Sequence, residues 1–236
     1  MSSWYPFGGV GPYGTYGNLG LYGALVAYGT LRLTETSPQQ TFTEVLTLAE
    51  MKDYLKIPPR SPADSYEDDL ITSYISAARE QAEILQNRDL VPKQFDLNMD
   101  YWPSYRLEMR TPTRSVDLLR YMDSNGDITT MTEGPNADYI VDLAKQPGVV
   151  APPYNATWPT FTPWPSSAIL LRFTSGYLGT DPFWLGAGAR IKVGMRLLIS
   201  AWYNNRLPFE KGADATNEYP YAVTSCLGYG AEVRAR

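Results

Sequence analysis

The chain contains no histidine and a single cysteine, Cys226. Without histidine, Ser-His-Asp and Cys-His catalysis are closed to it. One cysteine permits no disulfide within the chain, and Cys/His metal centres are excluded within one copy. Cys226 sits in a Gly-containing stretch with no base beside it, so a passive thiol is expected. No apolar run approaches the roughly 18 residues of a membrane span. The N-terminus lacks the basic and then continuously apolar regions of a secretory signal. These absences lead us to expect a soluble protein made in a reducing cytoplasm, with no membrane partner. Charge is scarce too. Charged residues make up 19% of the chain and none precedes Arg32. The net charge of −5 excludes a general duplex-DNA binder, which needs Lys and Arg for phosphates. An acidic chain can still stand beside DNA without gripping it.

What is abundant is aromatic. Eighteen Tyr and six Trp suit interfaces, since each combines a large apolar body with a polar tip. With 44% hydrophobic residues in 236, a real core is available. The uncharged opening has its own order. From Gly8 to Leu31 glycine begins every triplet except the one begun by Val26, and the third place is always Val, Leu or Tyr. A period of three suits polyproline II, with glycine on one edge and bulk on another. Collagen is ruled out by its imino requirement, because Pro12 stands alone within the triplets. We expect residues 1–45 to be an extended arm and linker, with Tyr13, Tyr16, Tyr22 and Tyr28 as partner-binding anchors.

Downstream, Thr47-Leu48-Ala49-Glu50 forms a capping box that opens a short helix, stopped by Pro58-Pro59. Ser65, followed by Glu67, Asp68 and Asp69, caps a longer helix whose carboxylates favour the positive end of the dipole. The spacing places Ile71, Ile75, Ala78 and Leu85 on its buried stripe, with Leu55 contributed by the first helix. Residues 46–89 are thus a helical part, and 90–180 change character. Short alternating segments predict strands at Lys93–Tyr101, Leu107–Arg110, Ser115–Met122, Ile128–Thr132, Asp138–Val141 and Ser167–Thr174. Asp123-Ser124-Asn125-Gly126-Asp127 reads as a hairpin turn rather than a calcium loop, since it lacks that loop's spacing and distal Glu. The run "YNATWPTFTPWP" predicts a long loop held by its aromatics. Residues 181–208 supply the strongest helix, Ala189–Asn205, with Leu198 and a central Trp202 on its apolar face. Residues 209–236 predict an extended tail.

Candidate chemistry is sparse. Gly9-Val10-Gly11-Pro12-Tyr13-Gly14 matches a dinucleotide fingerprint in letters only, because no strand precedes it and no helix follows. Glu67, Asp68 and Asp69 are explained by their place at a helix start. No catalytic, cofactor or metal residue is expected, and no cofactor.

The order of these parts carries a resemblance. "SAAREQAEILQNRDLVPKQF" follows the short capped helix, then come "TPTRSVDLLRYMDSNGD", "AILLRFTSGY" and "RLLISAWYNNR". Over roughly residues 47–207 this resembles the head–tail connector, or adaptor, proteins of tailed bacteriophages. The residues that carry the match include Leu48, Glu50, Lys52, Leu55 and Ile57, then Asp69, Ala77, Ala78, Arg79, Glu80 and Glu83. Tyr121, Asp123, Asn125, Gly126, Phe173, Gly176, Tyr177, Trp202, Tyr203 and Arg206 continue it. The Gly-triplet arm and the long Pro/Trp loop depart from the family pattern. The resemblance implies an α+β fold: a small helical bundle with an inserted antiparallel β module and extended terminal arms. It implies a structural role in the virion neck and no enzymatic activity. A dodecameric ring of this chain would join a portal protein above to a tail, stopper or nozzle protein below. It would enclose double-stranded DNA without reading its sequence. The tail would reach the portal through Tyr219, Tyr221, Leu227, Tyr229, Arg234 and Arg236. The competing expectation is a carbohydrate-binding or glycan-cleaving virion protein, which needs an open Trp/Tyr platform beside two close carboxylates.

Overall fold

A computed structural model describes residues 32–36, 42–58, 65–204 and 221–227. Two hydrophobic cores lie within them, one helical and one between sheets.

The helical core is built from four helices. Helix α1, Leu48–Tyr54, starts at Thr47, whose hydroxyl accepts from the Glu50 amide while the Glu50 carboxylate accepts from the Thr47 amide. That reciprocal bonding satisfies two backbone donors that a helix start leaves open. It also holds the Glu50 carboxyl below its ordinary range, first through the Thr47 amide. Helix α2, Ser65–Gln86, begins at Ser65 itself and ends where Asn87 turns to a φ of 49°. Asn is one of the few side chains that tolerate this left-handed conformation. Helix α3 spans Ala187–Asn204, after a 3-10 turn at Pro182–Leu185. Ile71, Ile75, Ala78 and Ala82 of α2 meet Ile191, Met195, Leu198 and Ile199 of α3, and all eight are buried. The two alanines carry little bulk, which lets the helix axes approach.

The β module has two antiparallel sheets. The larger has strand order β1-β2-β8-β4-β5, from β1 Arg32–Glu35, β2 Lys93–Met99, β4 Thr113–Met122, β5 Ile128–Thr130 and β8 Ile169–Ser175. The smaller has the order β3-β7-β6, from β3 Leu107–Glu108, β6 Ile140–Asp142 and β7 Val149–Ala151. Alternation sends Phe95, Leu97 and Met99 of β2, with Ile169, Leu171 and Phe173 of β8, into the shared core. The opposite face of the large sheet is polar. There Arg172 forks onto Asp96 at 2.7 and 2.8 Å, and Asp117 accepts from Gln94 and Thr174.

The module is locked to the bundle by close backbone contact and by charge. Gly176, at φ 109°, lies so near Val91 that a Cβ would stand 2.0 Å from the Val91 carbonyl oxygen. Only glycine fits there. Glu83 of α2 accepts from Arg79 at 3.0 Å, Lys93 of β2 at 2.9 Å and the Leu90 amide at 2.9 Å. Burial pushes its carboxyl up, against the pull of those cations. Asp89, buried, takes both arms of Arg110, and the Arg110 guanidinium covers the Phe95 ring.

Several expectations need correction. Arg32–Glu35, expected in the linker, is an edge strand paired with β2. One apolar residue, Leu33, among polar neighbours leaves no period to read. Strand β7, Val149–Ala151, falls where no strand was expected. The tail is not extended throughout, because Tyr221–Leu227 forms helix α4, packed on α3. Trp202 is not central: it is only partly buried near the end of α3, its ring 5.9 Å from that of Tyr74. Leu55 and Leu85 are likewise partly buried at the margin of the core.

Candidate assembly surface

Among the described residues, several side chains that could do chemistry hold structure instead. Asp123 Oδ1 accepts from the amides of Asn125 and Asp127, at 2.8 and 3.0 Å, and so closes the β4–β5 hairpin on itself. Asp68 pairs with Lys52, and Glu67 accepts from the Tyr203 hydroxyl. Among the described residues no group of three or more His, Cys, Asp or Glu could hold a metal ion. Among them, too, no helix is long and apolar enough to cross a membrane. The buried Glu83 is answered by two cations and an amide, which accounts for it as a structural joint.

The largest aromatic cluster among the described residues is also internally engaged. The long Pro/Trp loop folds back so that Trp158 stacks on Trp102, centroids 4.6 Å apart and planes 3° from parallel. Phe161 tilts against Tyr121 at 4.6 Å. A sugar platform must offer a free ring face, and the stack covers one face of each indole. Beside them the loop leaves a cleft of about 340 Å³ between residues 100–104 and 157–163.

What remains exposed is apolar surface in separate places. Tyr101, Tyr105, Tyr154 and Trp164 stand out from the β module, and Tyr154 is 93% exposed. Ile84 projects from α2, Val193 from α3, and Leu185, 91% exposed, from the turn before α3. Among the described residues, strands β1 and β5 are the edges of the large sheet, and an edge strand presents a row of backbone donors and acceptors. A head-to-tail contact between copies requires two different patches on each copy.

No protein-family model matches the chain, and no curated protein does. Solved structures do match. A chain of the neck of an empty gene transfer agent (GTA) particle, computed with C6 symmetry, superposes with a TM-score of 0.64 at 21% identity. The match covers 87% of this chain and 97% of that one. A chain from the neck of the native GTA particle, computed with C12 symmetry, gives a TM-score of 0.60 with the same identity and coverage. One from the virion of the native particle gives 0.59 at 21% identity, covering 83% and 92%. The chain has the fold of a GTA neck protein.

Within this neck fold the expected site residues fall into three groups. The arm anchors Tyr13, Tyr16, Tyr22 and Tyr28 lie outside the described residues, as do Tyr219, Tyr229, Arg234 and Arg236 of the tail. Tyr221 is the first residue of α4. Leu227 is a correction: it is fully buried in the helical core, against Gly194, so it cannot reach out to a portal. Its carbonyl accepts from the Gln86 side chain, which ties the end of α4 to α2. The cleft beside Trp102 was not singled out from sequence. Its signal was present in the Trp/Pro pairs on both sides, Trp102-Pro103 and Trp158-Pro159, but nothing in the letters says that two distant loops stack.

Proposed function

We propose that this chain is a head–tail adaptor: a structural virion protein whose dodecameric ring sits between portal and tail and surrounds the DNA channel. The observation that carries this reading is the fold shared over nearly the whole length of neck-protein chains. A ring of twelve copies is compatible with both neck symmetries, since six-fold symmetry is contained in twelve-fold. The net charge of −5 agrees with a structural role, because a lumen through which DNA must slide is better without a phosphate-gripping surface. The Gly-triplet arm acts as a strap across a neighbouring subunit or tail protein. Twelve weak straps joined by symmetry make a firm joint. Residues beyond α4, with Tyr229, Arg234 and Arg236, reach the portal.

Reconstitution tests the reading. Purified protein is added to DNA-filled heads that carry a portal but no tail, and bound copies are counted after sedimentation. The reading expects saturation at one twelve-membered ring per head and restored tail joining. Binding scattered over the capsid, or only at the distal end of tails, would overturn it.

A further inference from the structure

The cleft between residues 100–104 and 157–163 has aromatic and proline walls, from Tyr101, Trp102, Pro103, Trp158, Pro159 and Phe161. We propose that it seats the root of the chain's own N-terminal arm, Tyr28 to Leu31, in extended backbone.

The register of β1 points there. Arg32 pairs with Asn98 and Glu35 with Phe95, so the chain before Arg32 runs towards Asp100 and beyond. Tyr28 stands as far before Arg32 as Trp102 stands after Asn98. Side-chain direction agrees as well. Leu33 packs against the same core cluster as Trp102 and Phe161. Strand alternation puts Leu31 on the face of Leu33. The arm's period of three then puts Tyr28 on the edge of Leu31.

The chemistry matches. Extended segments without internal hydrogen bonds dock in grooves walled by aromatic side chains, because their backbone is already ordered and their carbonyls are free. The indole N–H groups of Trp102 and Trp158 are buried and find no acceptor among the described residues. A segment crossing this cleft brings carbonyls to a place that lacks them. Gly29, between Tyr28 and Leu31, keeps the backbone edge thin enough to lie close.

The inference takes the arm's strap role from the proposed function, while its seat rests on register and composition. Fixing the root gives the rest of the arm a defined departure, over a reach of about 75 Å for the extended triplets.

Hydrogen exchange on the full-length chain, at concentrations where it is a monomer, tests the seat. Wild type is compared with the double variant Tyr28→Gly/Leu31→Gly and with Tyr13→Gly/Tyr16→Gly, far from the root. The amides of 100–104 and 157–163 should exchange at least about tenfold faster in the first variant and unchanged in the second, with α2 and α3 unaffected in both. Equal exchange in wild type and the root variant overturns the proposal. So does an equal loss in both variants. Protection that grows with protein concentration would also overturn it, because a neighbour's arm would then fill the cleft. This reads one chain in solution, so it can fail while the ring stands, and the ring can fail while it holds.

Discussion

The docking of α4 on α3 makes a sharp prediction through two residues. Gly194 faces Leu227 so closely that a Cβ there would lie 2.7 Å from Leu227 Cδ2, 2.8 Å from Cγ and 2.9 Å from Cys226 Cβ. Leu227 is fully buried. Leu227→Ala removes a core side chain and leaves a cavity, costing about 3 kcal/mol within the usual range for such sites. Gly194→Ala gains about 1 kcal/mol of helix propensity and loses about 1–3 kcal/mol to overpacking. In the double variant the new methyl enters space vacated by Leu227. The summed costs should therefore exceed the double variant's by about 1–2 kcal/mol, short of full relief because Cys226 Cβ stays in place. Urea unfolding of the four proteins gives the cycle, with equal slopes required for comparison. Additivity within about 0.5 kcal/mol, or a cost below about 1 kcal/mol for Leu227→Ala, would show that α4 does not pack here.

Further outcomes follow from the same structure. Trp202→Ala should cost about 2 kcal/mol in urea unfolding, less than the full range for a central aromatic, because its ring is only partly buried beside Tyr74. Glu83 has a folded pKa above its unfolded one, so the folded state holds a proton that the unfolded state releases. Its contribution to stability is therefore present below the ordinary carboxylate range and falls as pH rises to the raised value. Glu83→Gln should remove that downward component from the stability–pH curve, and an identical curve would refute it. Deleting residues 2–27, which spares the seated root, should leave the melting temperature unchanged and weaken particle assembly, whereas a large drop in melting temperature would place the outer arm in the core. Truncation after Gly228 spares α4 and should give filled heads that leak or fail to join tails. Wild-type infectivity would show that the last residues are dispensable.

The legible parts of the fold were those with strong local causes. The Thr47–Glu50 box, the periodic apolar stripes of α2 and α3, and the Asn125-Gly126 hairpin each rest on neighbours in sequence. Strands β1 and β7 are short, and their place depends on partners far along the chain, which no window of residues reveals. Helix α4 was missed for a related reason. Its seven residues are too few to hold a helix alone, and it stands because Val223 and Leu227 are buried in the helical core, with Leu227 against Gly194. Trp202 misled in the opposite way, since a large aromatic at helical spacing reads as central although the helix end leaves it at the margin. The assembly surface was legible only as composition, an excess of Tyr and Trp and an uncharged arm. Which of those aromatics face outward depends on long-range stacking, as Trp102 and Trp158 show by covering each other while Tyr154 stays bare.

The central claim is a place and a number, and one reconstruction of the parent particle reads both. Electron microscopy of the neck, processed without imposed symmetry, should show this fold in twelve copies forming one closed ring around DNA, directly below the portal. Density for the chain anywhere else on the particle, or a copy number incompatible with one twelve-fold ring, would contradict the account.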